Sequence, residues 1–301
     1  MNLSLAYLLT STALAGAVEV TRAHVPEAGT SQVEANGLTF HYFEEGDPGA
    51  PLVLLLHGFP DTAHTWDDVR PALAEAGYHA VSPFTRGYAP TDVPDTDTDV
   101  ETMGRDVLAL IEALGYDSAI LVAHDFGASA AYSATVLDPS KVDRLVTVAI
   151  PHPDTIKAGL GLLWSARHFA YLTRPSAVRR MQRADFQHVD DLYTRWSPTW
   201  DVPAEETESV KNAFAREPSL NAALGYYRAL GAAPDFMKAD IAVPSMLVGG
   251  RDDMLSEEAF TVDSAERFTG PYRVEMLDGG HFVHRESPEA FLAILLDFLA
   301  E

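Results

Sequence analysis

The stretch 120-ILVAHDFGASAAY-132 sets an aspartate at an exposed-looking corner. An apolar run, residues 120–123, stops at His124-Asp125, and a glycine with three alanines then opens a helical pattern. A strand–turn–helix of this kind holds the turn residue out for attack. What a carboxylate attacks there is limited by chemistry. On an ester or amide carbonyl, Asp125 would form a mixed anhydride, a high-energy product. On a saturated carbon bearing a leaving group it forms an alkyl ester, which water can cleave at the carbonyl. Serine in the same position would leave an ether that no general base could cleave. Asp125 therefore points to an epoxide or an alkyl halide, and to covalent catalysis in two steps.

The second step needs a base, an orienting acid and an oxyanion hole. His281, in 276-MLDGGHFVHRESPE, follows an apolar run and a Gly-Gly turn. Asp252 and its neighbour Asp253, in 246-MLVGGRDDML, stand in a similar position. A neutral His281 oriented by one of these acids would deprotonate the water that attacks the ester. In 55-LHGFPDT the backbone N–H of Phe59, with that of Phe126, would converge on the developing negative oxygen. Loss of such a donor costs about 10²–10³ in rate.

These groups need elements that bring them to one edge. Residues 38–43, 52–57, 79–83, 119–123, 145–150, 244–248 and 272–277 read as strands, the second as a continuous apolar run suited to burial on both faces. Residues 69–76, 100–114, 127–137, 257–268 and 288–299 read as helices. Strand and helix alternate, which predicts a mostly parallel sheet with helices on both faces. The alternation breaks between residues 151 and 234, a stretch without a clear strand that holds Trp164, Trp196 and Trp200. The expected organisation is an N-terminal extension (1–34), an α/β core (35–150 and 235–301) and an inserted helical cap (151–234).

With HGFPDT, FTRGYAPTD, VAHDFGA, GGRD and GGHF in this order and spacing, residues 35–300 resemble the α/β-hydrolases that use an Asp nucleophile. Nucleophile, acid and histidine also follow that fold's chain order. Ala123 stands where the family usually has the first glycine of the elbow. The family register selects Asp252 over Asp253 as the orienting acid.

The resemblance also separates two chemistries. Haloalkane dehalogenases usually carry Trp after the nucleophile and often Asn by the oxyanion loop; Phe126 and Phe59 stand there. Fluoroacetate dehalogenases carry Arg after the nucleophile and another three positions on; here these are Phe126 and Ser129. Epoxide hydrolases supply two acids from the cap to protonate the opening oxygen. The Y-R motif in 219-SLNAALGYYRALG selects Tyr227, and 166-ARHFAYLTRP aligns His168 with the other acid. This pair is similar to that of the Cif-type bacterial epoxide hydrolases. Those take the orienting acid from a Glu where this chain has Ala149, so the role returns to Asp252. The resemblance implies an epoxide hydrolase, with Asp125, Asp252, His281, Tyr227 and His168 catalytic and Phe59, Phe126, Trp164 and Phe169 around the substrate. The alternative is a haloalkane or haloacid dehalogenase with the same Asp-His-Asp triad.

Composition limits the partners. The chain of 301 residues carries a formal charge of −23, with only four Lys beside 17 Arg. Such acidity disfavours nucleic acid and anionic membranes. With no cysteine there is no thiol nucleophile or Cys-ligated metal, and the remaining histidines show no ligand spacing, so no cofactor or metal is expected. The expected partners are a small-molecule epoxide and water, with room for a homodimer. Residues 1–20 hold an apolar core interrupted by Ser and Thr, with small residues near Ala15 and Ala17, yet the first basic residue is Arg22. This favours a retained segment and a cytoplasmic protein over a signal peptide and export.

Overall fold

The computed structural model describes residues 20–21, 27–96, 98–156, 166–231 and 233–301. One sheet holds eight strands: β1 (Ser31–Ala35), β2 (Leu38–Glu45), β3 (Leu52–Leu56), β4 (His79–Pro83), β5 (Ala119–His124), β6 (Val142–Val148), β7 (Ser245–Gly250) and β8 (Tyr272–Leu277). Their spatial order is β8-β7-β6-β5-β3-β4-β2-β1. Only β2 pairs antiparallel, with β1 and with β4; the other neighbours are parallel. The expected α/β-hydrolase architecture, a mostly parallel sheet flanked by helices, is the one observed.

The two faces of β3 show why it reads as an unbroken apolar run. Leu52, Leu54 and Leu56 pack into one core and Val53 and Leu55 into the other. Fully burying each such side chain is worth roughly 1.5–3 kcal/mol, so both faces must be covered. Helices α2 (Val100–Ala113) and α3 (Phe126–Leu137) supply Val107, Leu110, Ala128 and Ala131 to the first core. Helices α1 (Val69–Glu75) and α7 (Pro288–Ala300) supply Val69, Leu73, Phe291 and Leu295 to the second. Close packing of α2 on α3 depends on Gly104, because a Cβ there would lie 2.3 Å from Ser133 Oγ.

Between β6 and β7 the chain contributes α4 (Gln187–Trp196), α5 (Glu208–Ala215) and α6 (Ser219–Ala229), and among the described residues no strand. Leu192, Phe214 and Leu224 from these helices join the first core, so the insert seats on the α2–α3 side of the sheet.

One expectation is corrected. Ser31–Ala35, read as part of an extension, is the edge strand; its polar alternation suits a strand with one face in solvent. Residues 257–267 form the expected helical stretch, which passes into π turns at Ala259–Asp263 and 3-10 turns at Ser264–Arg267. Tyr272 Oη–H donates to the Phe260 carbonyl and Ile241 N–H to the Arg267 carbonyl, which ties this stretch to the neighbouring strand and loop. The apolar segment at residues 1–19 lies outside the described residues. No helix among the described residues is long and apolar enough to cross a membrane.

Candidate active site

Four sequence-predicted groups follow the carboxyl ends of parallel strands, where α/β sheets open a crevice. Asp125 follows β5, Phe59 lies beyond β3, the Asp252-Asp253 pair lies beyond β7 and His281 beyond β8. Asp125 adopts φ 52° and ψ −120°, a conformation costing a residue with a Cβ on the order of 1–3 kcal/mol. The surroundings hold it there: its N–H donates to Val148 O, and its carbonyl accepts from Ser129 N, opening α3. Its carboxylate is only 13% exposed.

Phe59 N–H donates to Asp125 Oδ1 at 2.8 Å. A Cβ on Gly58 would fall 2.5 Å from that oxygen and 2.6 Å from Phe126 N, so only glycine lets the loop close on the carboxylate and on both amides together. On the other side, His281 Nε2 stands 3.4 Å from Asp125 Oδ2, without hydrogen-bond geometry. His281 Nδ1–H donates to Asp253 Oδ2 at 3.0 Å, and the Asp253 side chain is fully buried.

The choice of Asp252 as the orienting acid is therefore corrected. Its side chain is exposed, and its Oδ2 accepts from Thr199 Oγ1 at 3.0 Å. The two acids share an irregular turn after Gly250, where neighbouring side chains leave on opposite sides. Asp252 N–H donates to Gly279 O, which turns the next residue, Asp253, toward the imidazole.

Charge in this buried row is coupled. Burial alone would lower the His281 pKa, but the Asp253 charge, and then Asp125, hold it up at about 10. Burial raises Asp125, yet the facing imidazole outweighs this and keeps its carboxyl below the ordinary value. Both directions favour a carboxylate at Asp125 facing a protonated His281.

Above the carboxylate lies a cavity of about 430 Å³, lined by Asp125, Phe126, His168, Phe169, Tyr227 and His281 among others. Much of the remaining wall is apolar, including Met103, Ile150, Met254 and Leu255. Tyr227 is buried, with its ring edge-on to Phe59 and Phe126 at 5.0 Å each. Burial first, then the Asp125 charge, push its phenol well above the ordinary value, so it remains a proton donor. The His168 ring is buried and perpendicular to Tyr227 at 5.8 Å. Neighbouring phenols are engaged elsewhere: Tyr226 donates to Arg86 O at 2.5 Å, Arg285 donates to Tyr193 Oη, and Arg195 donates to Tyr171 Oη. Trp164, expected in the pocket wall, lies outside the described residues.

The structure also brings together residues that sequence reasoning did not select. Trp196 lines the cavity, and its buried Nε1–H has no hydrogen-bond partner among the described residues. Only its place on the inner face of α4 could have marked it. Asp61, His124 and His284 gather donor atoms within 4.8 Å of one another, a grouping invisible to sequence spacing. Arg285 already reaches both Asp61 carboxylate oxygens at 3.3–3.4 Å, which balances that charge from within the protein. His57 is structural: it accepts from Thr85 N–H and donates to Gly58 O, and burial lowers its pKa to about 4.

Strand order and the strand–turn–helix corner at Asp125 are those of a hydrolase of α/β type, and the family model of the alpha/beta hydrolase fold matches residues 51–288. The chain belongs to this family. It is 28% identical to Epoxide hydrolase A of Mycobacterium tuberculosis, over 89% of this chain and 96% of that protein. It is 29% identical to Epoxide hydrolase 3 of Xenopus tropicalis, over 91% of this chain and 78% of that protein. The crystal structure of Epoxide Hydrolase A from Mycobacterium thermoresistibile superposes with a TM-score of 0.70 at 27% identity, covering 90% of this chain and 98% of that one.

Proposed function

We propose that this chain is an epoxide hydrolase working through an ester on Asp125. The observation that carries the reading is a strained, ionised carboxylate at a cavity floor, with an amide N–H on one oxygen and an Asp-paired imidazole facing the other. The names of the relatives agree with it.

Asp125 Oδ2 attacks a ring carbon, and the breaking C–O bond leaves its electron pair on the epoxide oxygen. Tyr227, with His168 beside it, protonates or hydrogen-bonds that oxygen. The ester keeps Oδ1 as its carbonyl oxygen, still held by Phe59 N–H. Alkylation removes the Asp125 charge, and with it part of what keeps the His281 proton on. The imidazole, still oriented by Asp253, passes its proton through solvent to the Tyr227 phenolate, or to the alkoxide where Tyr227 has only hydrogen-bonded it, and so becomes a neutral base for the hydrolytic water. The tetrahedral intermediate bears its charge on Oδ1, facing the amides of Phe59 and Phe126. Collapse releases a vicinal diol, and His281 returns its proton to the leaving oxygen. Residues 151–234 act as the cap that carries the acids, and the apolar wall suits an uncharged, apolar epoxide.

One turnover in ¹⁸O-labelled water, with enzyme in excess, tests the ester. The label is expected in the peptide carrying Asp125 and not in the diol; label in the diol alone would reject the route. Asp253→Asn is expected to lower turnover on the order of 10²–10⁴-fold through loss of imidazole orientation, while Asp252→Asn stays within about threefold of the unmodified protein. Steady-state rates of the two variants on one epoxide check this directly.

A second reading, haloalkane or haloacid dehalogenation, draws on the unpartnered indole N–H of Trp196, a donor of the kind that holds a leaving halide. Halide release from a small haloalkane or haloacid, without diol formation from epoxides, would favour it.

A further inference from the structure

We propose that Glu286 is a positioning residue for His281, clamping the backbone on both sides of the imidazole; the inference rests on the ester route above. Gly280 N–H donates to Glu286 Oε2 at 2.8 Å and Phe282 N–H to Oε1 at 3.0 Å. The residue between them, His281, donates its own N–H to Trp196 O at 3.0 Å, at the end of α4. Ser197, the next residue of the cap, donates Oγ–H to Glu286 Oε1 at 2.6 Å. Three successive amides are thus fixed, two by one carboxylate and one by the cap. The fit is tight: a Cβ on Gly280 would lie 2.5 Å from both Ser197 Cα and Trp196 O. Asp253 sets only the rotation of the ring, whereas Glu286 fixes the backbone that carries it.

The two catalytic steps feel this clamp differently. Attack on the epoxide depends on Asp125, which β5, α3 and Phe59 hold without help from Glu286. Hydrolysis depends on His281 reaching a water against the ester carbonyl. A drift of about 1 Å in such a group costs on the order of 10²-fold. Loss of the clamp therefore slows hydrolysis and spares alkylation. A carboxylate that merely stabilised the loop would reduce both steps together, in proportion to the folded fraction.

The test is a rapid-quench single turnover with neutral terminal epoxides, styrene oxide first and then aliphatic ones until the unmodified protein forms diol. Ester on the Asp125 peptide is read by mass and diol by chromatography. In Glu286→Ala, ester formation is expected within about threefold of the unmodified protein, with hydrolysis slowed 10–100-fold, ester accumulating, and kcat and KM falling together. Glu286→Gln keeps one acceptor oxygen and is expected to fall between, as a folded variant if alanine does not fold. Ser197→Ala removes one donor of three and is expected to lose less than Glu286→Ala. Unchanged hydrolysis in both Glu286 variants, or equal loss of both steps, overturns the inference. His281→Gln separates the two ideas. Ester accumulating in that variant but not in the Glu286 variants sinks the clamp alone. No ester in any variant, and no diol from any epoxide with the unmodified protein, sinks the function on which the clamp rests.

Discussion

Asp125→Ala is expected to lower diol formation by at least about 10⁴-fold, or about 5.5 kcal/mol of transition-state stabilisation. No neighbour can replace the lost nucleophile. Asp253 is held on the far side of His281, and Asp61 is engaged by Arg285. An imidazole acting directly on the epoxide would have to deprotonate water against an electrophile placed for a carboxylate. The variant is expected to fold, because residue 125 keeps its backbone bonds to Val148 and Ser129 and His281 keeps its bond to Asp253. Its signature extends beyond rate. With one of its two facing anions gone, the His281 imidazolium titrates lower than in the unmodified protein, which nitrogen-detected NMR of the ring would report. Diol formation retained in Asp125→Ala would end the covalent proposal.

His281→Gln separates the steps instead of abolishing both. The ester still forms, since Asp125 keeps its orientation from β5 and its contact with Phe59 N–H. Hydrolysis is expected to slow on the order of 10²–10⁴-fold for want of a base. A burst of at most one equivalent of epoxide consumed per protein, followed by near arrest, is the expected time course. Mass analysis would find the alkyl group on the Asp125 peptide. Equal slowing of consumption and diol formation from the first turnover would contradict the division of labour.

The same residue links catalysis to stability. Its pKa is about 10 in the folded chain, against 6.5 as the reference for the unfolded one. A raised folded pKa stabilises fully below the unfolded value, and this contribution is lost as pH rises through the folded value. Thermal stability of the unmodified protein should therefore decline between pH 6.5 and 10 more steeply than that of His281→Gln. Equal slopes would mean that the imidazole is not held as a cation.

The elbow and the sheet that carries it were legible in sequence because local chemistry limits their shape. Residues 120–132 have one plausible shape, a buried strand running into a helix, and a carboxylate at that corner has few electrophiles open to it. The continuous apolar runs of β3 and β5 required cover on both faces, so a parallel sheet flanked by helices followed. The edge strand β1 was missed because its alternation is half polar, as an exposed edge demands.

Orientation in irregular turns belonged to the tertiary structure alone. Asp252 and Asp253 are the same residue type one position apart. The Arg251–Leu277 and Asp252–Gly279 backbone bonds, made between loops after different strands, fix the turn from which Asp253 faces the imidazole. The engagement of Tyr226 by Arg86 O and the grip of Glu286 on residues 280 and 282 likewise join segments far apart in the chain or turned within a loop. Periodicity reports which face of an element is apolar. It carries no information about where a single polar atom points once strand ends from different parts of the chain are packed side by side.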